Sequence, residues 1–172
     1  MYKSFHIKNF KRFSDLKISG LERINLITGK NNVGKTALLE AIFLHSGRYN
    51  ASLANRIYTF RGISLTIEFS KWAASPWDSM FHKFDTSKII EFKGKHNERE
   101  IVVTLKVLKN PEELAEVQNL IQKSPDINKT LSLFTDDFKT LQLEFKENSE
   151  KTKKEKKITG KNHIIFTPEG LL

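Results

Sequence analysis

The octapeptide Gly29-Lys30-Asn31-Asn32-Val33-Gly34-Lys35-Thr36 constrains this chain more than any other stretch. It reads G-x-x-x-x-G-K-T, the phosphate-loop pattern. Its flanks fit the pattern: Ile24 to Thr28 is a short apolar run that predicts a strand, and Thr36 to Leu44 predicts a helix. Strand, glycine loop and helix in that order are the setting in which such a loop grips phosphate.

The chemistry follows from residue types. Gly29 and Gly34 open backbone angles closed to other residues and permit close approach to phosphate oxygens. Asn31 and Asn32 tolerate the left-handed region. Freed N–H groups and the positive helix end then face an anion. Lys35 is expected to reach the β- and γ-phosphates, and the Thr36 hydroxyl to ligate magnesium. Val33 has no ligand chemistry and is expected to pack inward. The expected ligand-binding positions are Gly29, Asn31, Asn32, Gly34, Lys35, Thr36 and Ala37, with a nucleoside triphosphate and magnesium as ligands.

Length bounds the rest. A chain of 172 residues supports one substantial core. The absence of cysteine excludes disulfides and thiolate metal sites and suits a reducing cytosol, so a cytoplasmic location is expected. No apolar run reaches the ~18 residues of a membrane span, and no signal peptide is read at Met1. The net charge of +9 raises nucleic acid as a partner. Part of that excess lies in Lys151 to Lys157, where a solvated hairpin explains it equally well.

Along the chain, Tyr2 to Leu21 alternates as two strands, with Phe5, Ile7 and Phe10 on one side and Leu16 and Ile18 following. Gly20 marks a turn. In the loop's helix, Leu38, Leu39, Ile42 and Phe43 form an apolar stripe with Glu40 facing outward, and Gly47 suits a left-handed cap. Arg48 to Gly62 reads as a loop with one short helical turn. Its Arg48, Arg56 and Arg61 are either a solvated connector or a basic segment near nucleotide or DNA.

Ile63 to Phe69, a short run with Ile89 and Phe92, and Ile101 to Val107 alternate as antiparallel strands wet on one side. The linking aromatics Trp72, Trp77, Phe81 and Phe84 are expected to pack over the sheet. Asn110-Pro111-Glu112-Glu113 signals a helix start, continued by Leu114, Val117, Leu120 and Ile121 to a stop at Ser124-Pro125. A second short helix is favoured over 127–138. Leu141, Leu143 and Phe145 mark a strand, Glu147 to Lys157 an exposed turn, Thr159 to Asn162 another turn, and His163 to Phe166 a last strand. Pro168-Glu169-Gly170 is read as irregular.

Hydrolysis needs a magnesium-holding carboxylate and an acid that orients water. The nearest approach is Leu131 to Asp137, where Ser132 and Thr135 spoil a buried strand. Glu68, Glu91 and Glu144 sit on wet strand faces. The five histidines show no metal spacing, so no catalytic residue is assigned.

Three stretches nevertheless converge: Ile7-Lys8-Asn9-Phe10-Lys11-Arg12-Phe13, the segment Ile24 to Ile42 with its G-K-N-N-V-G-K-T-A-L-L-E-A run, and the antiparallel strands beyond. Together they resemble the amino-terminal lobe of ABC-type ATPase heads of the SMC, RecF and OLD group. The likeness is specific over about the first 47 residues and architectural afterwards.

The resemblance implies an α/β P-loop NTPase fold: an ABC-ATPase-like amino-terminal lobe with a mostly antiparallel β subdomain. Residues 1–47 would hold the strand pair, loop strand and helix, and 62–172 the β-rich part, in a single partial domain. It implies ATP and magnesium as ligands, heads that pair through ATP as a homodimer, and work in DNA repair, chromosome handling or anti-phage defence with a nuclease partner. It makes Lys11 and Arg12 candidate contacts to base or phosphate; by position alone they are an exposed basic turn.

The signature motif and the acids of the carboxy-terminal lobe have no counterpart here. The chain therefore resembles the first half of a head, and strands flanking Ile24 to Thr28 are expected from a complementing half. Two readings stay open: a lobe that hydrolyses ATP only with its complement, and a non-catalytic ATP-sensing module. A self-sufficient P-loop phosphotransferase fits less well, because lid motifs are lacking and the strands are antiparallel.

Overall fold

The computed structural model describes residues 1–62, 77–122, 139–149, 158–167 and 170–171. It is built on a hairpin, β1 (Tyr2–Phe10) and β2 (Phe13–Ser19), joined by the turn Lys11-Arg12. The register pairs Phe5 with Ile18, Ile7 with Leu16 and Phe10 with Phe13. Because side chains alternate across a strand, Phe5 and Ile7 are buried on one face and His6 and Lys8 point the other way; Asn9, at φ 54°, breaks the alternation, and Phe10 is buried as well.

Five more strands complete the sheet: β3 (Ile90–His96), β4 (Arg99–Leu108), β5 (Lys139–Ser149), β6 (Ile158–Thr167) and β7 (Gly170–Leu171). The order is β2-β1-β3-β4-β5-β6-β7, and each of these pairings is antiparallel. The amino-terminal hairpin and the later strands thus share one sheet.

Helix α1 (Lys35–Ser46) lies over one face with α2 (Leu53–Phe60) beside it. Ala37, Leu38, Ala41 and Leu44 of α1, with Ala54 and Ile57 of α2, meet Phe5, Ile7, Phe92, Val103, Leu105 and Leu143 in the main core. The helix comes close to the sheet at Gly94, where a Cβ would stand 2.6 Å from the His45 ring. Trp77, Met80 and Phe81, in and around two 3₁₀ turns, close the core beside Phe10. On the opposite face, α3 (Pro111–Gln122) sets Leu114 and Val117 against Leu108 and Ile165. Asn110 caps α3 by accepting the Glu112 N–H at 3.0 Å.

Several polar groups are buried as well, His45 and Glu147 among them. His45 is fully buried; its Nδ1 accepts from the Tyr2 hydroxyl at 2.7 Å, and its Nε2 donates to the Ile101 carbonyl at 3.0 Å. Burial drives its pKa down to about 4, with Arg48 and His96 adding to the shift and the Ile101 bond opposing it. Glu147 is also buried, bridged by Arg48 at 2.8 Å and Arg99 at 3.2 Å. Burial works to raise its carboxyl, and the two guanidiniums outweigh that and hold it below the usual range.

Several expectations are corrected. Ile24 to Thr28 is no strand: it has no ladder partner among the described residues, and Ile24 and Leu26 are 87% and 89% exposed. Val33 is exposed rather than packed inward. Leu39 is exposed, whereas Glu40 is buried. Gly47 has φ −91°, so it is no left-handed cap; its value is space, since a Cβ would collide with Leu53.

Arg48 to Gly62 contains a full two-turn helix, α2. Ile89 precedes β3 and is exposed, as is Phe84. Glu147 belongs to β5 rather than to a turn, and Thr159 to Asn162 lie inside β6 because Gly160 leaves room opposite Phe145 for that ring. Gly170 opens β7 rather than lying in irregular structure. The expected strand at Ile63 to Phe69, Trp72, the helix stop at Ser124-Pro125, the second helix over 127–138 with its Asp136-Asp137, and most of the expected turn at 147–157 lie outside the described residues. Among those described, no helix is long and apolar enough to cross a membrane.

Candidate phosphate-binding site

The loop adopts the backbone its sequence suggests. Gly29 and Gly34 have φ of 146° and 103°, and Asn32 has φ 61°, angles that glycine and asparagine reach most readily. Gly34 is the N-cap of α1, and Leu38 N–H closes the first helical bond on its carbonyl at 2.9 Å. The N–H groups of Lys35, Thr36 and Ala37 precede that bond and lie at the positive helix end. No acidic side chain stands in the first turn to neutralise it.

Side chains brace the loop from within. Lys35 Nζ donates to the carbonyls of Gly29 and Lys30 at 2.7 and 2.8 Å. The Arg12 guanidinium donates to the Asn32 carbonyl. A Cβ on Gly34 would stand 2.6 Å from Arg12 Cδ and 2.7 Å from Phe13 Cζ, so the β1–β2 turn sits directly on the loop. That turn is itself held from behind: Lys11 N–H donates to the Met80 carbonyl at 2.8 Å, and the His82 ring donates to the Lys11 carbonyl at 2.9 Å.

A cavity of about 400 Å³ opens at this junction, lined by Lys11, Arg12, Asn31, Asn32, Gly34, Lys35, Thr36, Ala37 and Arg61. Four of the nine are cations and none is an acid, so the cavity attracts anions. Of the residues singled out from sequence, Gly29 alone stands outside the lining; its carbonyl receives Lys35. Thr36 is exposed at the cavity, a placement that fits a hydroxyl ligand to magnesium bound with phosphate. Among the described residues no three histidines or carboxylates gather to hold a metal by themselves.

Two further residues belong to this place. Glu40, 7% exposed, takes Lys11 Nζ on Oε2 at 2.6 Å and Arg61 on both oxygens, Nε at 2.8 Å and a terminal nitrogen at 3.1 Å. Burial pushes the Lys11 ammonium down and Glu40 works against that; the same carboxylate raises Arg61. Arg61 is thus the arginine of the basic connector that reaches the cavity. Arg48 instead pairs with Glu147 at the other end of α1. The sequence reading placed Glu40 outward on the helix and missed its two ion pairs, because the partners lie 29 and 21 residues away.

Fold and loop together define the class: an α/β protein with an antiparallel sheet and a phosphate-loop sequence at a helix entrance. The chain belongs to the AAA ATPase domain family, whose pattern matches residues 1–169. Its short-range likenesses agree. It is 50% identical over 48 residues to an ATP/GTP phosphatase of Helicobacter pylori, covering 28% of this chain and 13% of that protein. It is 48% identical over 44 residues to the DNA double-strand break repair Rad50 ATPase of Archaeoglobus fulgidus, covering 26% and 5%. Over 41 residues it is 46% identical to the DNA replication and repair protein RecF of Idiomarina loihiensis, covering 24% and 12%. The matched stretches span no more than about an eighth of these relatives. These likenesses are consistent with an ATPase head of the SMC and RecF kind.

Proposed function

We propose that this chain is the ATP- and magnesium-binding lobe of a DNA-associated ABC-type ATPase, which hydrolyses ATP when a complementing carboxy-terminal lobe or partner head supplies the missing acids. The observation that carries this reading is the cavity at the head of α1: a glycine-cornered loop, a helix end with no acid in its first turn, and four converging cations. A nucleoside triphosphate matches that charge and shape. The triphosphate would rest on the amides of residues 34–37, with Lys35 released from the Gly29 and Lys30 carbonyls to meet it. Lys11 and Arg12 stand where they would meet phosphate or base. Thr36 would help hold a magnesium ion, which would supply charge neutralisation at the phosphates.

A complementing lobe is supported by exposed apolar chain. Ile24 and Leu26 lie bare beside the loop, and apolar surface left unpaired next to a binding loop favours association. That surface suits added strands and the pairing of heads through ATP. Relatives named for replication and double-strand break repair support the DNA association, and the +9 charge agrees with it. A cytoplasmic setting and roles in repair or anti-phage defence belong to the same proposal.

A second reading, a non-catalytic ATP sensor, has its own support in the cavity lining, which among the described residues contains no carboxylate. Phosphate release separates the two. The first predicts magnesium-dependent turnover by the chain joined to its carboxy-terminal complement, abolished by Lys35→Ala. Binding without turnover in that assembly would favour the sensor.

A further inference from the structure

Glu40 has no assignment in the reading above, yet its carboxylate lies at the meeting point of three elements. It projects from α1 one turn after Thr36, and residues four apart share a helix face with side chains tilted toward the N-terminus. The carboxylate therefore stands over the turn that floors the cavity. Lys11 arrives from the β1–β2 turn and Arg61 from the end of α2.

Both carboxylate oxygens are engaged. Oε1 accepts Arg61 Nε, and Oε2 accepts Lys11 Nζ and the second Arg61 nitrogen, a forked charge-assisted contact of fixed direction. Two cations share one anion, so the cluster keeps a net charge of +1 beside the phosphate loop. A contact made only to neutralise a buried acid would need one cation. Here there are two, both line the cavity, and the Arg61 side chain remains 42% exposed.

We propose that Glu40 is a positioning residue: it holds Lys11 and Arg61 at the rim of the phosphate loop, preset for the outer phosphates of a nucleoside triphosphate. This rests on the nucleotide-binding reading and adds to it the way the rim cations are fixed. Without Glu40, two long flexible side chains lose their anchor, and each meets a phosphate only after giving up its own freedom.

A double-mutant cycle tests this. Calorimetric affinities for ATPγS with magnesium are measured on the full chain for the wild type, K11A, R61A, E40Q, and E40Q combined with each. With Glu40 present, Lys11→Ala and Arg61→Ala are each expected to weaken binding at least tenfold. In the E40Q background the same substitutions are expected to change it threefold or less. Equal effects in both backgrounds would overturn the proposal and leave Glu40 a structural ion-pair partner.

Failure of the underlying reading looks different. A wild type with no affinity for any nucleoside triphosphate removes both, whereas wild-type binding lost in Lys35→Ala without coupling at Glu40 removes only the positioning role. Should circular dichroism show E40Q unfolded, Glu40→Asp repeats the cycle. It keeps the charge but shortens the reach by one methylene; in that background the Lys11→Ala and Arg61→Ala effects are expected to shrink at least threefold from their wild-type size, and effects as large as in the wild type would overturn the proposal.

Discussion

His45 is fully buried between Tyr2, Gly94 and the Ile101 carbonyl, with its pKa lowered to about 4. Exposed in the unfolded chain, the same imidazole titrates near 6.5. Between those values the unfolded state carries a proton that the folded state refuses, so stability falls as pH falls. The neutral ring's contribution is whole above pH 6.5, declines by about 1.4 kcal/mol per unit below it, and is exhausted near pH 4 after a loss of about 3 kcal/mol.

At pH 5 the loss from this residue is about 2 kcal/mol, or about 1 M in the urea midpoint at an ordinary denaturant slope. The assay is urea unfolding at pH 7.5 and 5.0 for the wild type and for His45→Gln. The replacement cannot titrate there, and the difference between the two pH slopes cancels the other ionising groups. A difference of about 2 kcal/mol is expected, the wild type being the more acid-sensitive. Equal slopes would refute the claim that a buried neutral imidazole ties α1 to β4.

Three further substitutions probe separate parts of the structure. Gly160→Ala places a Cβ 2.2 Å from the Phe145 ring; overpacking of this kind should destabilise by about 1–3 kcal/mol, read as a lower denaturant midpoint with an unchanged slope. Glu147→Ala strips the buried partner from Arg48 and Arg99 and should remove about 3 kcal/mol, whereas a loss below about 0.5 kcal/mol would mean the cluster is solvated. Gly34→Ala forces a Cβ against Arg12 and Phe13 at φ 103°, so it should abolish triphosphate binding while the sheet's circular dichroism persists.

What could be read from the sequence is what local chemistry dictates. The β1–β2 hairpin was legible because Phe5 and Ile7, and Leu16 and Ile18 after the turn, alternate with polar residues, and α3 because Asn110-Pro111 is a cap followed by a fixed φ. The phosphate loop was legible because its glycines and asparagine carry their conformations with them. Thr159 to Asn162 misled, since glycine beside polar residues looks like a turn; only the Phe145 ring across the sheet makes Gly160 a strand residue.

Glu40 misled for the same reason. Its local setting reads as solvent-facing, and the cations that make burial tolerable come from distant segments. Ile24 to Thr28 shows the opposite failure: its apolar pattern has strand character, but a strand needs a neighbour, and the described residues provide none. The rim of the cavity is a tertiary product of three elements, and no window of sequence contains it.

The most direct test is a calorimetric titration of the chain with ATP in magnesium, beside the Lys35→Ala variant. Saturable binding by the wild type, weakened at least tenfold when Lys35 is lost, is the expected result. No detectable heat with any nucleoside triphosphate, or binding indifferent to Lys35, would contradict the claim that the loop at the head of α1 is a phosphate cradle.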